Sequence, residues 1–319
     1  MATRQCRVAL RKSLARPAVT SPMPTTSVVQ DGVTTSYTYD ALGQLVRVVD
    51  GQEGATWEYS YDQGGNILSK KKFVDGVETE STDFEYTNTN WRDQLTKVNG
   101  TTITYDQIGN PLNDGEWTYT WQNGRQLASM TNGETTASFV YNENGLRVQK
   151  TVNGVVTNYT LHGKNIMHMT QGENELHFFY DAQNKPAVAV YNGTPYSYVK
   201  NLQGDVVAIL DANGTVVVRY VYDAWGRPIS KTGSLASTLG TVQPFRYRGY
   251  VYDEETGLYY LRSRFFRVAG VDSSTKIPAA DELEFRSLIV HTVTASTALY
   301  SALINVDVSV KSVQRETVT

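Results

Sequence analysis

The sequence predicts an all-β fold, in which antiparallel hairpins of one repeated unit are wound as a spiral or open shell-like sheet, followed by a short divergent C-terminal tail. Three observations lead to this reading. A tyrosine or tryptophan followed four residues later by glycine recurs along the chain, most clearly as YDALGQL at residues 39–45, YDQGGNIL at 61–68, YDQIGNPL at 105–112 and YDAWGRPI at 222–229. Weaker copies start at Tyr86, Trp121, Tyr141, Tyr159, Tyr180 and Tyr198, giving a mean spacing of about 20 residues, a period typical of stacked arrays. Between the motifs, short stretches rich in Thr, Val and Tyr are separated by Asn-Gly pairs, the strongest short hairpin signal.

Composition narrows the function classes. The 319 residues are 40% apolar and 19% charged, enough for a substantial core, and the abundance of tyrosine (21 copies) favours strands. A formal net charge of -3 supplies no global attraction to nucleic acid or anionic membrane, and the repeats hold no basic patch, so no nucleic-acid partner is expected for them. The single cysteine, Cys6, has no partner for an intramolecular disulfide and argues against redox chemistry.

Taken in order, residues 1–30 form a basic tail. Arg4, Arg7, Arg11, Lys12 and Arg16 precede the first acidic residue, Asp31, and Pro17, Pro22 and Pro24 break any helix. Disorder is the expectation for this tail; the composition also resembles a transit peptide, but it lacks the continuous apolar stretch of a secretory signal. Residues 31–221 are read as the repeat region. Within it, 34–39 and 101–105 are expected strands, which place Tyr37 with Tyr39, and Thr101 with Ile103 and Tyr105, on one face each.

After each strand the motif reads as a turn. Aspartate accepts hydrogen bonds from backbone amides two residues on, and glycine takes a positive φ at no steric cost. Asn184 stands where other copies have glycine, and asparagine is the non-glycine residue that best tolerates the same left-handed conformation. A second turn class is expected at Asn99-Gly100, Asn132-Gly133, Asn153-Gly154, Asn192-Gly193 and Asn213-Gly214.

These units resemble the YD repeats of bacterial RHS-repeat proteins. Residues 222–266 carry the closer likeness, since YDAWGRPI is followed by PFRYRGYVYDEETGLYYLRSRFF at 244–266, similar to the RHS repeat-associated core segment. The resemblance implies a β-sheet shell wound around a hollow interior, found in polymorphic toxins and wall-associated proteins, with a C-terminal effector enclosed or presented by it. It implies a secreted or cell-surface location, and as partners the remainder of an RHS shell or a toxin or immunity protein. The likeness stops at Phe266, where Arg267-Val268-Ala269-Gly270-Val271-Asp272 replaces the family's continuation. The aspartate pair that serves autoproteolysis in some members therefore has no secure counterpart, and no enzymatic activity is expected of the shell. About ten units are fewer than enclosing a cargo requires, so the expectation is a truncated fragment or an open segment.

The motif residues Tyr39, Asp40, Gly43, Tyr61, Asp62, Gly65, Tyr105, Asp106, Gly109, Tyr222, Asp223 and Gly226 are read as structural. Aromatic stacking from unit to unit is expected to pin the register. The alternative uses Tyr39, Tyr61, Tyr105 and Tyr222 as stacking faces for a cell-surface glycan. The aspartates, with Asp181 and Asp253, are read as turn caps, because each turn offers too few oxygens for calcium and a row of single carboxylates makes no acid/base pair.

In the core segment Arg246, Tyr247, Gly249, Asp253, Gly257, Tyr259, Tyr260, Arg262 and Arg264 carry the motif, and Arg262 and Arg264 are expected on one face of a strand. His162, His168 and His177 follow no compact ligand spacing, so neither a metal nor any other cofactor is expected. Residues 267–319 form the divergent tail, small for an enzyme. They are read as an appendage, with a small toxic effector as the alternative.

Overall fold

A computed structural model describes residues 26–30, 32–262 and 264–267. Within each of three sheets, strand follows strand as hydrogen-bonded neighbours in sequence order. The first sheet comprises β1 (Ser27–Gln30), β2 (Val33–Tyr39), β3 (Leu45–Asp50), β4 (Ala55–Tyr61), β5 (Ile67–Val74), β6 (Val77–Glu85), β7 (Lys97–Val98) and β8 (Thr101–Thr102). The second holds fourteen strands. It begins with β9 (Thr104–Tyr105), β10 (Pro111–Asn113), β11 (Thr118–Gln122), β12 (Gln126–Thr131), β13 (Thr136–Tyr141), β14 (Arg147–Val152) and β15 (Val155–His162). It continues with β16 (Asn165–Gln171), β17 (Asn174–Tyr180), β18 (Pro186–Tyr191), β19 (Thr194–Lys200), β20 (Val206–Leu210), β21 (Val216–Tyr222) and β22 (Pro228–Thr232). A short helix α1 (Leu239–Val242) then leads to a three-stranded sheet of β23 (Val251–Asp253), β24 (Leu258–Tyr260) and β25 (Phe265–Arg267). All pairings among the described residues are antiparallel, and the β architecture is open.

The strands form because apolar residues alternate with polar ones, leaving one face to bury. In β13 Ala137 and Phe139 are buried while Ser138 and Val140 are exposed; in β17 Leu176 and Phe178 are buried while Glu175, His177 and Phe179 are exposed. The inner face of β15–β21 is covered by the segment that follows the sheet. Leu239, Phe245, Val251 and Tyr260 join Met169, Leu176, Phe178, Ile209 and Tyr220 in one core cluster.

Several expectations are corrected here. The strand expected at 101–105 is two strands in different sheets: Thr101–Thr102 pairs with β7, Thr104–Tyr105 with β10, and Ile103 between them is buried with Phe84, Leu95 and Val98. Alternation survives the change of partner, which is why the sequence hides the break. The paired strands begin before the start expected for the repeat region, because Ser27 already pairs with Ser36. The division at 221/222 falls within β21, and the sheet runs on to Thr232. Arg262 and Arg264 do not sit on a strand. Leu261 N–H donates to the Arg264 carbonyl at 2.8 Å with Arg262 at φ +69°, a tight turn between β24 and β25. The first twenty-five residues and the tail after 267 lie outside the described residues.

Candidate functional site

Each clear motif closes its turn in the same way. The N–H of Asp40 donates to the Gln44 carbonyl, Gly43 donates back to Asp40, and the Asp40 carboxylate accepts the amides of Leu42 and Gln44 at 2.9 and 2.8 Å. Asp62, Asp106 and Asp223 repeat the arrangement. Burial, the largest single influence on Asp62 and Asp106, opposes ionisation, but these backbone donors together with the side-chain amides of Gln44, Asn66 and Asn110 stabilise the charged carboxylates and hold Asp40, Asp62 and Asp106 below the usual range.

The tyrosines reach back one unit. Tyr61 Oη donates to the Leu45 carbonyl (2.7 Å), Tyr105 to Leu95 (2.6 Å), Tyr141 to Leu127 (2.9 Å), Tyr180 to Ile166 (2.7 Å) and Tyr222 to Val206 (2.8 Å). Units are therefore linked by hydroxyl-to-carbonyl bonds, where the sequence suggested ring stacking. Gly109 and Gly226 have a further duty: a Cβ on Gly109 would lie 2.3 Å from the Trp91 ring, and one on Gly226 would lie 2.4 Å from the Tyr247 ring.

After each turn a β-bulge sets the inward pattern. Tyr39 pairs with Leu45 but Thr38 with Arg47, so Val46 is the extra residue and both Leu45 and Val48 turn inward. The same slots hold Leu127 and Met130, Ile166 and Met169, and Val206 and Ile209, all apolar and buried. In β14 they hold Arg147 and Lys150, at 3% and 5% exposure. The equivalent positions in β5 and β22 carry Lys70 and Lys231.

Three of these four cations meet the acidic run Asp253-Glu254-Glu255. Arg147 grips Asp253 with both guanidinium nitrogens, Nη1 at 2.5 Å and Nη2 at 2.9 Å, and Lys150 Nζ bonds Asp253 at 3.2 Å and Glu255 at 2.7 Å. Lys231 Nζ holds Glu254 at 2.7 Å. Asp253 is fully buried. Burial alone would raise its carboxyl, but the charges of Arg147 and Lys150 overcome that and keep it below the ordinary range; conversely, burial depresses both bases and Asp253 more than restores them. The Arg147 guanidinium lies over the rings of Tyr260, Tyr159, Phe139 and Phe265, and its backbone N–H donates to Tyr260 Oη at 2.9 Å. This acidic clip ties the core segment to strands about a hundred residues earlier.

Neighbouring motif residues complete the fastening. Arg246, 2% exposed, lies 4.3 Å over the Tyr220 ring and donates to the carbonyls of Gln243, Gly240 and Phe245. Gln243 is fully buried, bonding Tyr198 and Tyr220 through its side-chain amide. Tyr259 Oη donates to the Gly226 carbonyl at 2.9 Å. Burial raises the Tyr247 phenol to about 12. Arg248 N–H donates to buried Asp205, with Gly249 ending that turn, and Gly257 takes positive φ in the turn before β24. The structure thus gathers Arg246, Tyr247, Asp253, Tyr259 and Tyr260 on the sheet, and leaves Arg262 exposed at the turn.

Sequence reasoning missed Arg147, Lys150 and Gln243. A signal for the first two was present: a charged side chain in a slot that other repeats fill with Leu, Ile, Met or Val. It also judged the histidines by chain spacing, whereas His168 and His177 are directly paired across β16 and β17.

Residues 21–269 match the family model described as Teneurin YD-shell. The chain is 41% identical over 252 residues to the tRNA3(Ser)-specific nuclease WapA of Bacillus spizizenii, covering 74% of this chain and 9% of that protein. It is 40% identical over 244 residues to the tRNA nuclease WapA of Bacillus subtilis, again 74% of this chain and 9% of the relative. The chain thus spans under a tenth of the length of these relatives. Among solved structures, TcdB2-TccC3-TEV aligns with a TM-score of 0.51 at 14% identity, covering 76% of this chain and 15% of that one. TcdB2-TccC3-Cdc42 aligns with a TM-score of 0.50 at 14% identity, covering 81% and 16%. At such identity the likeness is one of fold.

Proposed function

This chain belongs to the YD-shell family of RHS-repeat proteins, and from that premise we propose that it is a noncatalytic wall segment of an RHS-type toxin or cell-surface protein, which encloses or presents an effector carried beyond the core segment. The observation that carries this reading is the acidic clip. A catalytic carboxylate must reach substrate, but Asp253 is wholly buried and committed to Arg147 and Lys150. Its chemistry holds the wall together.

On this reading residues 31–266 act as one structural piece, with the motif and core residues named above as its fastenings, and residues 267–319 are an appendage. Further shell strands are its natural partners. The relatives named as tRNA nucleases supply a direct test. Purified full chain incubated with total tRNA should leave it intact on a denaturing gel, and its expression in bacteria should not slow growth. Cleaved tRNA would overturn the noncatalytic assignment.

A further inference from the structure

We propose that the outer face of the β16–β17 hairpin is a binding site for a borderline divalent transition cation of the Zn2+, Ni2+ or Cu2+ type, held by His168, Glu175 and His177. The three ligands come from one hairpin, joined by the two-residue turn between Gln171 and Asn174. His168 and His177 are directly paired across the strands, their rings stacked with centroids 4.5 Å apart and 22° between planes, so both present Nε2 on the same side. Glu175 lies two residues from His177 on the same face, diagonal to His168. Its Oε1 lies 3.0 Å from His168 Nε2 and 3.2 Å from His177 Nε2.

This geometry is close to that of a metal centre. A tetrahedral cation with ligands at about 2.1 Å sets neighbouring ligand atoms about 3.4 Å apart. The two nitrogen–oxygen separations need to open by only a few tenths of an ångström, and all three ligand atoms already lie within 4.8 Å of one another. Two imidazoles and one carboxylate are a donor set that zinc, nickel and copper accept, with water completing the coordination. Glu175 is steadied from the next turn, since its backbone N–H donates to Asn192 Oδ1 at 2.8 Å.

The surroundings favour a cation. Residues directly paired with the ligands on flanking strands are Thr160 opposite His168 and Val190 opposite His177, while Thr170 faces Glu175 across the hairpin. None of these carries a positive charge to compete for the site. The half-exposed position leaves the open coordination sites facing solvent, where a donor from a second protein surface has access.

Titration of Zn2+ into the full chain by calorimetry tests the proposal, with ZnCl2 alone as the probe. The expected result is one saturable equivalent of micromolar affinity, weakened at least tenfold by His168→Ala or His177→Ala and abolished in the double variant. Glu175→Gln should weaken it by a smaller factor. His162→Ala and Cys6→Ser, which remove other donors, should leave it unchanged. Zinc should raise the melting temperature of the native chain, reversibly with EDTA, but not that of the double variant. These are surface substitutions on an intact sheet, so unchanged circular dichroism checks the fold. Absence of saturable binding, or full binding retained by the double variant, would overturn the assignment.

Discussion

Single side chains decide how this fold is fastened. Asp253 shows the logic most plainly, because removing one member of a buried ion pair strands the charge left behind. Asp253→Asn should cost about 3–5 kcal/mol in urea unfolding, although the substitution scarcely changes volume. The sign of its pH dependence follows from its lowered pKa. The folded carboxyl holds its charge to lower pH than the unfolded one, so its contribution is complete above the unfolded value of about 3.9 and is lost as pH falls below it. Asp205 and Asp50, both raised by burial, act in the opposite sense and are relieved by acid. Asp253→Asn should therefore flatten the loss of stability below about pH 4; an unchanged acid limb would remove Asp253 from that account. Tyr61→Phe, Tyr105→Phe and Tyr222→Phe each delete one hydroxyl-to-carbonyl link. Each should lower stability by about 0.5–1.5 kcal/mol, more where the abandoned carbonyl is shut away from water.

At the level of elements, turn chemistry was readable from sequence because it depends on local conformation. Asn184 occupies φ +60° with its N–H donating to the Asp181 carbonyl, the geometry that its place in the motif implies. Asn184→Gly should change stability little, whereas Asn184→Val should cost on the order of 1–2 kcal/mol, measured by thermal unfolding. Asn99, Asn153 and Asn192 likewise take φ of 46°, 48° and 47° before their glycines, while Asn213-Gly214 belongs to an Asp211 turn of the other class. What the sequence concealed at this scale is register. Strict alternation would put Arg147 and Lys150 on opposite faces; the bulge at Val148 puts both inside. Arg262 at positive φ gave no warning of its turn, since arginine carries none of the usual signals for that conformation. Gly226→Ala should separate backbone strain from packing. It should destabilise by more than the ~1 kcal/mol of strain alone, because the new methyl meets the Tyr247 ring.

Across the whole described molecule, stability is built from local hairpins and closed by a few contacts distant in sequence. The meander could be anticipated because within each sheet every strand pairs with its neighbour in sequence. Closure could not, because Arg147 and Asp253 lie 106 residues apart and chain spacing carries no record of which strand faces which. The same limit hid the pairing of His168 with His177. The first sheet is joined by similar means: Arg227 Nη2 bonds Glu53 at 2.8 Å, Lys70 lies 3.8 Å from Asp223, and Trp225 meets Tyr59 edge-on at 5.7 Å. Basic residues at inward slots thus mark where later segments dock.

A double-mutant cycle on Arg147 and Asp253 tests most directly that the core segment is locked to the repeat wall by this clip. Arg147→Met, Asp253→Asn and the combined variant would be unfolded in urea as full chains. The predicted result is a coupling of about 2–3 kcal/mol, with the double variant much less destabilised than the sum of the singles. Simple additivity, with coupling near zero, would contradict it.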